Sequence, residues 1–480
     1  MSGLSWVIIA IPACAAIASW LLPARVMRPV TALAGLITAG CIIAIVIQTA
    51  RHQGPIDACS ALFLLPIAIV YGAVGLYTYW YVVAESHDTA AGERYRREFL
   101  TLTNAFACAE VIVPLVTNMA GMWVAIEATT IVAALLVRLQ GTPAALEAAW
   151  KYILIASCGL ALGLVAVVVL YAAAIPALGA HHQPEWQAYM HAAKRLDPDV
   201  VRLAFIFALI GFGTKMGLAP MHTWLPDAHG AGPTPTSAML SGIVLSDAAY
   251  VIVRFAAISN AAVGPGLTQG LFTIVGLLSL FLAAFFLLQQ SDIKRMLAYS
   301  SIEHMGIVAL GFAFGIPVAV GGAFLHVVNH SASKSLAFLA AGRLAERYGT
   351  REIARIRGAI GTLPISGTLF VVAALSLAGM PPFGIFRSEL MILAGGFTSA
   401  PWVTAAVLAL LLVAFAGITR WVTATTNGTA PAEIRHGESG VFPIAGMAIG
   451  FVVVLGLGLV VPSALSSLIA DASVILRGGR

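Results

Sequence analysis

A lysine inside an apolar run is the residue of this chain with the most chemistry to offer. Lys215 sits in FGTKMGLAPMHTWLPDAHG, where an apolar helix breaks at Gly217 and Pro220. A charge inside a membrane span is expensive, so such residues face a polar interior, find a partner and mark ion pathways. Glu127, in MWVAIEATTIVAALL, is a carboxylate at the centre of another apolar run. Desolvation penalises the charged form of both groups, so together they can trade a proton as their separation or hydration changes. A static salt bridge that serves only conformational specificity is the alternative.

A second set lies further along. His326, Asn329, His330 and Lys334 in HVVNHSASK fall at i, i+3, i+4 and i+8, so they share one helical face. Histidine exchanges protons near neutral pH, and a buried lysine on the same stripe can store one. The plainer reading is a polar seam that hydrogen-bonds neighbouring helices. No acidic or cysteine ligand accompanies the pair in sequence, so no metal site is expected. Glu389, in FRSELMIL after a second interruption AGMPPFG, stands at the start of a half-helix, where it could transfer protons or anchor the break. Arg387, two residues away, points elsewhere on a regular helix. Glu303 and His304, in YSSIEHMG, either open an entry path or cap their helix. Asp227 and His229, in LPDAHG, are expected to fix the loop after the first break more than to carry protons.

The elements that must hold these residues are membrane helices. Of 480 residues, 60% are hydrophobic and 10% charged, too little charge for a water-facing surface. The apolar runs last about 18–25 residues, long enough to cross a hydrocarbon core of roughly 30 Å as helices, whereas barrel strands would be short and alternating. The net charge of +5 sits mainly in loops and reads as topology, with no nucleic-acid footprint. Cys14, Cys41, Cys59, Cys108 and Cys158 are scattered, with no CxxC and no histidine paired with them, so they offer no iron–sulfur, zinc or nickel site and read as packing residues. No cofactor is expected in this chain, and any redox centre lies in another.

The hydropathy pattern predicts an all-α polytopic protein of fourteen spans, near 4–22, 30–50, 60–83, 99–119, 121–139, 150–176, 200–228, 236–258, 268–289, 295–315, 318–342, 362–396, 402–422 and 442–469. Spans seven and twelve are broken at KMGLAP (215–220) and AGMPPFG (378–384). Paired discontinuous helices in matching halves point to a transport site near the midplane, so spans four to eight and nine to thirteen are read as inverted five-helix repeats. Unrelated proline kinks are the alternative. The domains are then 1–98, 99–258, 259–422 and 423–480. Lysine and arginine concentrate in the loops after odd-numbered spans, with a basic run from Arg343 to Arg357. The positive-inside rule puts both termini outside. The first apolar run has no basic leader before it and reads as an ordinary span, not a cleaved signal.

KMGLAPMHTWLPDAHG, with Glu127 upstream and MLAYSSIEHMG and HVVNHSASKSLAFLAAG downstream, resembles the antiporter-like proton-channel subunits of respiratory complex I, Mrp-type cation/proton antiporters and membrane-bound [NiFe]-hydrogenases. YSSIEHMG with the HxxNH stripe looks most like the hydrogenase branch, component F of the hydrogenase-4 and formate hydrogenlyase type. The resemblance covers roughly residues 100–420. It implies a relay of Glu127, Lys215, His326, His330, Lys334 and Glu389, carrying protons laterally while a peripheral arm does redox chemistry. Many complex I-type relatives carry a lysine in span eight where this chain reads GIVLSDAAY. Ser246 replaces it, and Asp247, about 100° away around a helix, cannot simply stand in. The chain given ends at Arg480 without the long lateral helix of one complex I homologue, which argues against that distal role.

The expected function is a proton-translocating subunit of a redox-driven complex, in a bacterial inner membrane, with other membrane subunits and peripheral iron–sulfur and nickel–iron subunits as partners. A secondary cation/proton antiporter subunit and a non-transporting membrane anchor are the alternatives.

Overall fold

The computed structural model describes residues 3–86 and 89–479. Among these it is helical throughout, with no strand and only two isolated bridges, Asn118–Glu185 and Asp292–Glu352. Eleven helices are long and apolar enough to cross a membrane. Pro198–Met216 and Pro317–Tyr348 are of similar or greater length but carry the charged and polar residues singled out above. The chain is an integral membrane protein with an all-α polytopic fold.

Helix starts follow from capping chemistry. The side chains of Asp57, Thr89, Asn118, Thr142, Asp197 and Asp292 each accept from backbone N–H groups of the first turn, satisfying donors that have no intrahelical partner. Four helices form the centre: Ala58–Ala84, Thr234–Val263, Ile293–Phe314 and Pro317–Tyr348 are almost wholly buried, while Gly3–Leu21 and Pro401–Thr426 present apolar faces outward, Trp402 among them. Cys59 is buried as a packing residue, but Cys14, on Gly3–Leu21, and Cys158, on Pro143–Leu178, are exposed.

Both interruptions occur where the motifs place them. The first lies between Pro198–Met216 and Trp224–Ala231, and the second between Pro364–Leu377 and Gly384–Ser399. Gly217 adopts φ +80° and closes a Schellman-type end, with Leu218 N–H donating to Gly213 O at 2.9 Å. The freed groups nearby find side chains: Trp224 Nε1 donates to Thr214 O at 2.8 Å, and Ala219 N–H donates to Ser279 Oγ at 2.8 Å. This accounting is obligatory in lipid, where water cannot help.

Three features depart from the expected layout. The C-terminal span 442–469 is two helices, Val441–Leu459 and Ser463–Leu476, because Pro462 lacks the N–H that would continue the ladder. The loop before residue 200 contains a short helix, Trp186–Ala192. Span eight carries a π-helical turn at Leu240–Val244, just before Ser246, an irregularity that often marks functional positions.

Trp186 has a structural reason to be ordered. The Arg254 guanidinium, fully buried, lies 3.9 Å from its ring centroid and donates to both Asp57 oxygens at 2.7 Å and to Ser60 Oγ at 2.9 Å. This joins the start of Ala58–Ala84, the second half of Thr234–Val263 and the short helix Trp186–Ala192. Burial alone would raise the Asp57 carboxyl, but the charge and hydrogen bonds of Arg254 outweigh it and hold it below the ordinary 3.8. The pair's stabilisation is therefore complete above that value and lost only as pH falls through the lower folded-state value. Asp57→Asn leaves a buried guanidinium without its counter-charge. We expect a loss of about 3–5 kcal/mol, seen as a marked fall in the thermal midpoint of the detergent-purified protein at neutral pH. An unchanged midpoint would show that the pair is not structural.

Candidate functional site

Two buried clusters, one in each half of the chain, are built around a lysine. In the first, close helix contact sets the geometry. A Cβ on Gly211 would lie 2.4 Å from Gly163 N, and one on Gly159 would lie 2.6 Å from Thr214 Oγ1. Small residues thus let Pro198–Met216 lie directly against Pro143–Leu178. That contact brings Lys215, in the last turn, to Tyr152. Lys215 Nζ donates to the Tyr152 hydroxyl at 2.5 Å and to Thr130 Oγ1 at 2.7 Å. A cation at a helix C-terminus also gains from the helix dipole.

Glu127 is one turn from Thr130 but makes no ion pair with Lys215. It accepts from Ser157 Oγ at 2.8 Å through Oε1, and its Oε2 is unpartnered. The expected pair is thus not a static salt bridge. Two further carboxylates reach Lys215 electrostatically, Glu110 and Asp247, both buried and with no hydrogen-bond partner on either oxygen. Glu110 was missed in the sequence, although a lone carboxylate in the apolar run AFACAEVIVPL follows the rule that singles out Lys215. Asp247 lies on the Lys215 side. Its neighbour Ser246 is 3.3 Å from Ser331 Oγ, so a hydroxyl pair stands beside Asp247.

The second cluster centres on Lys334. Its Nζ donates to Leu297 O at 2.8 Å and to the Ser300 hydroxyl. Glu303, one turn beyond Ser300, exerts its field on Lys334 without a contact ion pair. Glu303 and His304 are therefore buried participants and not caps at an aqueous surface. His304 Nδ1 is 3.1 Å from His326 Nε2, and His326 Nδ1 is 3.0 Å from Ser388 Oγ. His330 lies 5.5 Å from His304 between ring centroids, with both nitrogens unpartnered. Asn329 Nδ2 donates to Gly384 O at 2.7 Å and so ties the stripe to the second break. Glu389, half-buried, joins His304 and His326 with all three ligand atoms within 4.8 Å of one another.

Asp227, after the first break, pairs with two cations: its oxygens lie 2.5 Å from Arg295 Nη1 and 3.5 Å from Lys151 Nζ. His229, two residues on, turns inward. Its ring is fully buried, stacks on Phe338 at 5.0 Å and leaves both nitrogens unpartnered, between the fields of Lys334 and Lys294. Lys294 Nζ donates to Gly232 O at 2.6 Å and forms the wall of a surface cavity of about 280 Å³ with Tyr81, Glu85, Gln140 and Arg351. Burial pushes the Glu85 carboxyl up, against the opposing charge of Lys294.

Fold and site together define a polytopic helical membrane subunit with a buried polar axis. Residues 116–416 match the family described as NADH:quinone oxidoreductase/Mrp antiporter, transmembrane, and the chain belongs to that family. A hydrogenase-4 component F homolog of Methylacidiphilum infernorum (isolate V4) is 36% identical over 363 residues, covering 75% of each chain. A chain of the membrane-bound sulfane sulfur reductase, an archaeal respiratory membrane complex, superposes with a TM-score of 0.86 at 22% identity, covering 99% of this chain and 98% of that one. A chain of the Mrp complex from Dietzia sp. DQ12-45-1b gives 0.83 at 18% identity, again covering 99% and 98%. At these identities the superpositions show the fold. The protein is an antiporter-like membrane subunit of the complex I, Mrp and hydrogenase family.

The Glu389 carboxylate depends on a glycine. Gly379 has φ +66°, and a Cβ there would lie 2.2 Å from Glu389 Oε2. Gly379→Ala is expected to cost about 1–2 kcal/mol in backbone energy and to push the carboxylate away from the histidines. Gly40→Ala, at a helical site with no atom within 4 Å, should match or exceed wild type by about 0.5–1 kcal/mol. Thermal unfolding of both variants in detergent checks the contrast.

Proposed function

We propose that this chain is the proton-translocating membrane subunit of a redox-driven complex of the group 4 hydrogenase or formate hydrogenlyase type. The observation that carries the proposal is the row of titratable side chains through the interior: Glu110, half-buried Glu127, Asp247 and Lys215, then His330, Lys334 and Glu303, then His304, His326 and half-buried Glu389. The Ser246–Ser331 contact, beside Asp247 and His330, joins the two halves. Many of these groups have no protein hydrogen-bond partner, which is costly in a dry interior. Such groups are where water must enter for protons to hop. The cavity at Lys294 and Glu85, with His229 behind it, is the entry from the basic side.

The proposal includes fourteen spans with inverted repeats at 99–258 and 259–422, flanked by 1–98 and 423–480, both termini on the outer face of a bacterial inner membrane. Other membrane subunits cover the outward apolar faces, and peripheral iron–sulfur and nickel–iron subunits supply the redox energy. Identity to a component F homolog along three quarters of the chain supports the hydrogenase branch over the Mrp branch.

Affinity purification of the tagged protein from gently solubilised membranes, with mass spectrometry, tests the assignment. Recovery of a nickel–iron or related redox module is the expected result. Recovery of small membrane subunits alone, in the pattern of a cation/proton antiporter, would overturn it.

A further inference from the structure

We propose that His304, His326 and Glu389 form a binding site for a divalent transition-metal cation, Zn²⁺ by its ligand chemistry, which closes the proton row when occupied. In sequence the histidine stripe has no acidic companion. The second break supplies one by turning Glu389 back over Gly379. The three ligand atoms lie within 4.8 Å of one another, and the two facing nitrogens are 3.1 Å apart. Nitrogens bound to one tetrahedral Zn²⁺ at about 2.0–2.1 Å sit roughly 3.3–3.4 Å from each other. The imidazole pair therefore needs to open by only a few tenths of an ångström.

The surroundings favour the required tautomers. When His326 Nδ1–H donates to Ser388 Oγ, its Nε2 lone pair faces the site. His304 must move its proton from Nδ1 to Nε2. That nitrogen makes no well-formed hydrogen bond, and the Leu377 backbone is placed to interact with the ring. A partner on the far nitrogen of each metal-bound histidine is the usual means of orienting it. Two imidazoles and a carboxylate suit Zn²⁺, Co²⁺ or Ni²⁺ better than Na⁺ or Mg²⁺, which prefer all-oxygen shells. The carboxylate balances one of the two charges, and three protein ligands leave a fourth position for water.

The consequence rests on the relay reading. Metal on His304 Nδ1 and His326 Nε2 occupies the atoms through which a proton would pass between them, so the row is cut next to Glu389. Binding itself does not depend on that reading.

The test uses the full chain, purified in detergent, stripped with a chelator and dialysed against Co²⁺, then Zn²⁺. One Co²⁺ per chain with the intense visible bands of tetrahedral coordination, bleached by Zn²⁺, is expected. His326→Gln and Glu389→Gln should abolish those bands, Ser388→Ala should weaken binding roughly 10–100-fold, and His181→Ala, on an exposed loop, should change nothing. If the ligand variants fold poorly, Ser388→Ala alone decides. Weak octahedral bands, or binding undiminished in the ligand and Ser388 variants, would overturn the site and leave the relay reading standing. Binding in wild type that fails to slow proton flux in vesicles would uphold the site but overturn its closing of the row, and would count against a relay through His326.

Discussion

The cost of placing two ammonium groups in a low-dielectric interior is the constraint on which this structure depends. Lys215 and Lys334 are fully buried, and neither has a contact ion pair among the described residues. Each is held by neutral oxygens, with a carboxylate one helical turn from the hydroxyl it uses: Thr130 with Glu127, and Ser300 with Glu303. A direct salt bridge would trap charge on the pair. Hydroxyl ligands with carboxylates at a distance leave the charge sensitive to protonation and hydration nearby, which is what a relay requires.

The helix breaks follow from the same constraint. An uninterrupted helix presents no free backbone groups and holds its side chains at fixed radial positions. Ending one helix at Gly217 puts Lys215 in a last turn where the dipole favours a cation, and interrupting another at 378–384 lets Glu389 fold back onto Gly379 beside the histidines. Arg254 and Asp57 lie outside this axis and pin the central helices together, so the polar interior can rearrange without the bundle separating.

Much of this was legible from local signals. A lysine before Gly and Pro, a histidine stripe at helical spacing and two Gly–Pro interruptions are each visible within a dozen residues, and their positions in the fold agree with that reading. What was not legible depended on contacts distant in the chain. Glu389 reaches His304 and His326 from another helix, a juxtaposition that the spacing of the HxxNH stripe does not encode. His229 reads as a loop residue because it follows a break, yet the short helix Trp224–Ala231 carries it inward to Phe338. The π-turn at Leu240–Val244 spans Ser241 and Gly242, a pair that does not by itself specify a π-turn. Glu110 obeys the same rule as Lys215 but lacks a Gly or Pro beside it to draw notice.

The most direct test of the central claim is redox-driven proton movement in vesicles containing the intact complex, with Lys215→Met and Lys334→Met compared to wild type at equal assembly. Methionine removes the charge while filling much of the space. The account predicts that each variant assembles and that coupled proton movement falls at least tenfold, a change of about 1.4 kcal/mol or more in the effective barrier. Full proton movement with either lysine replaced would contradict it, and would leave this chain an anchor whose polar axis only holds the bundle together.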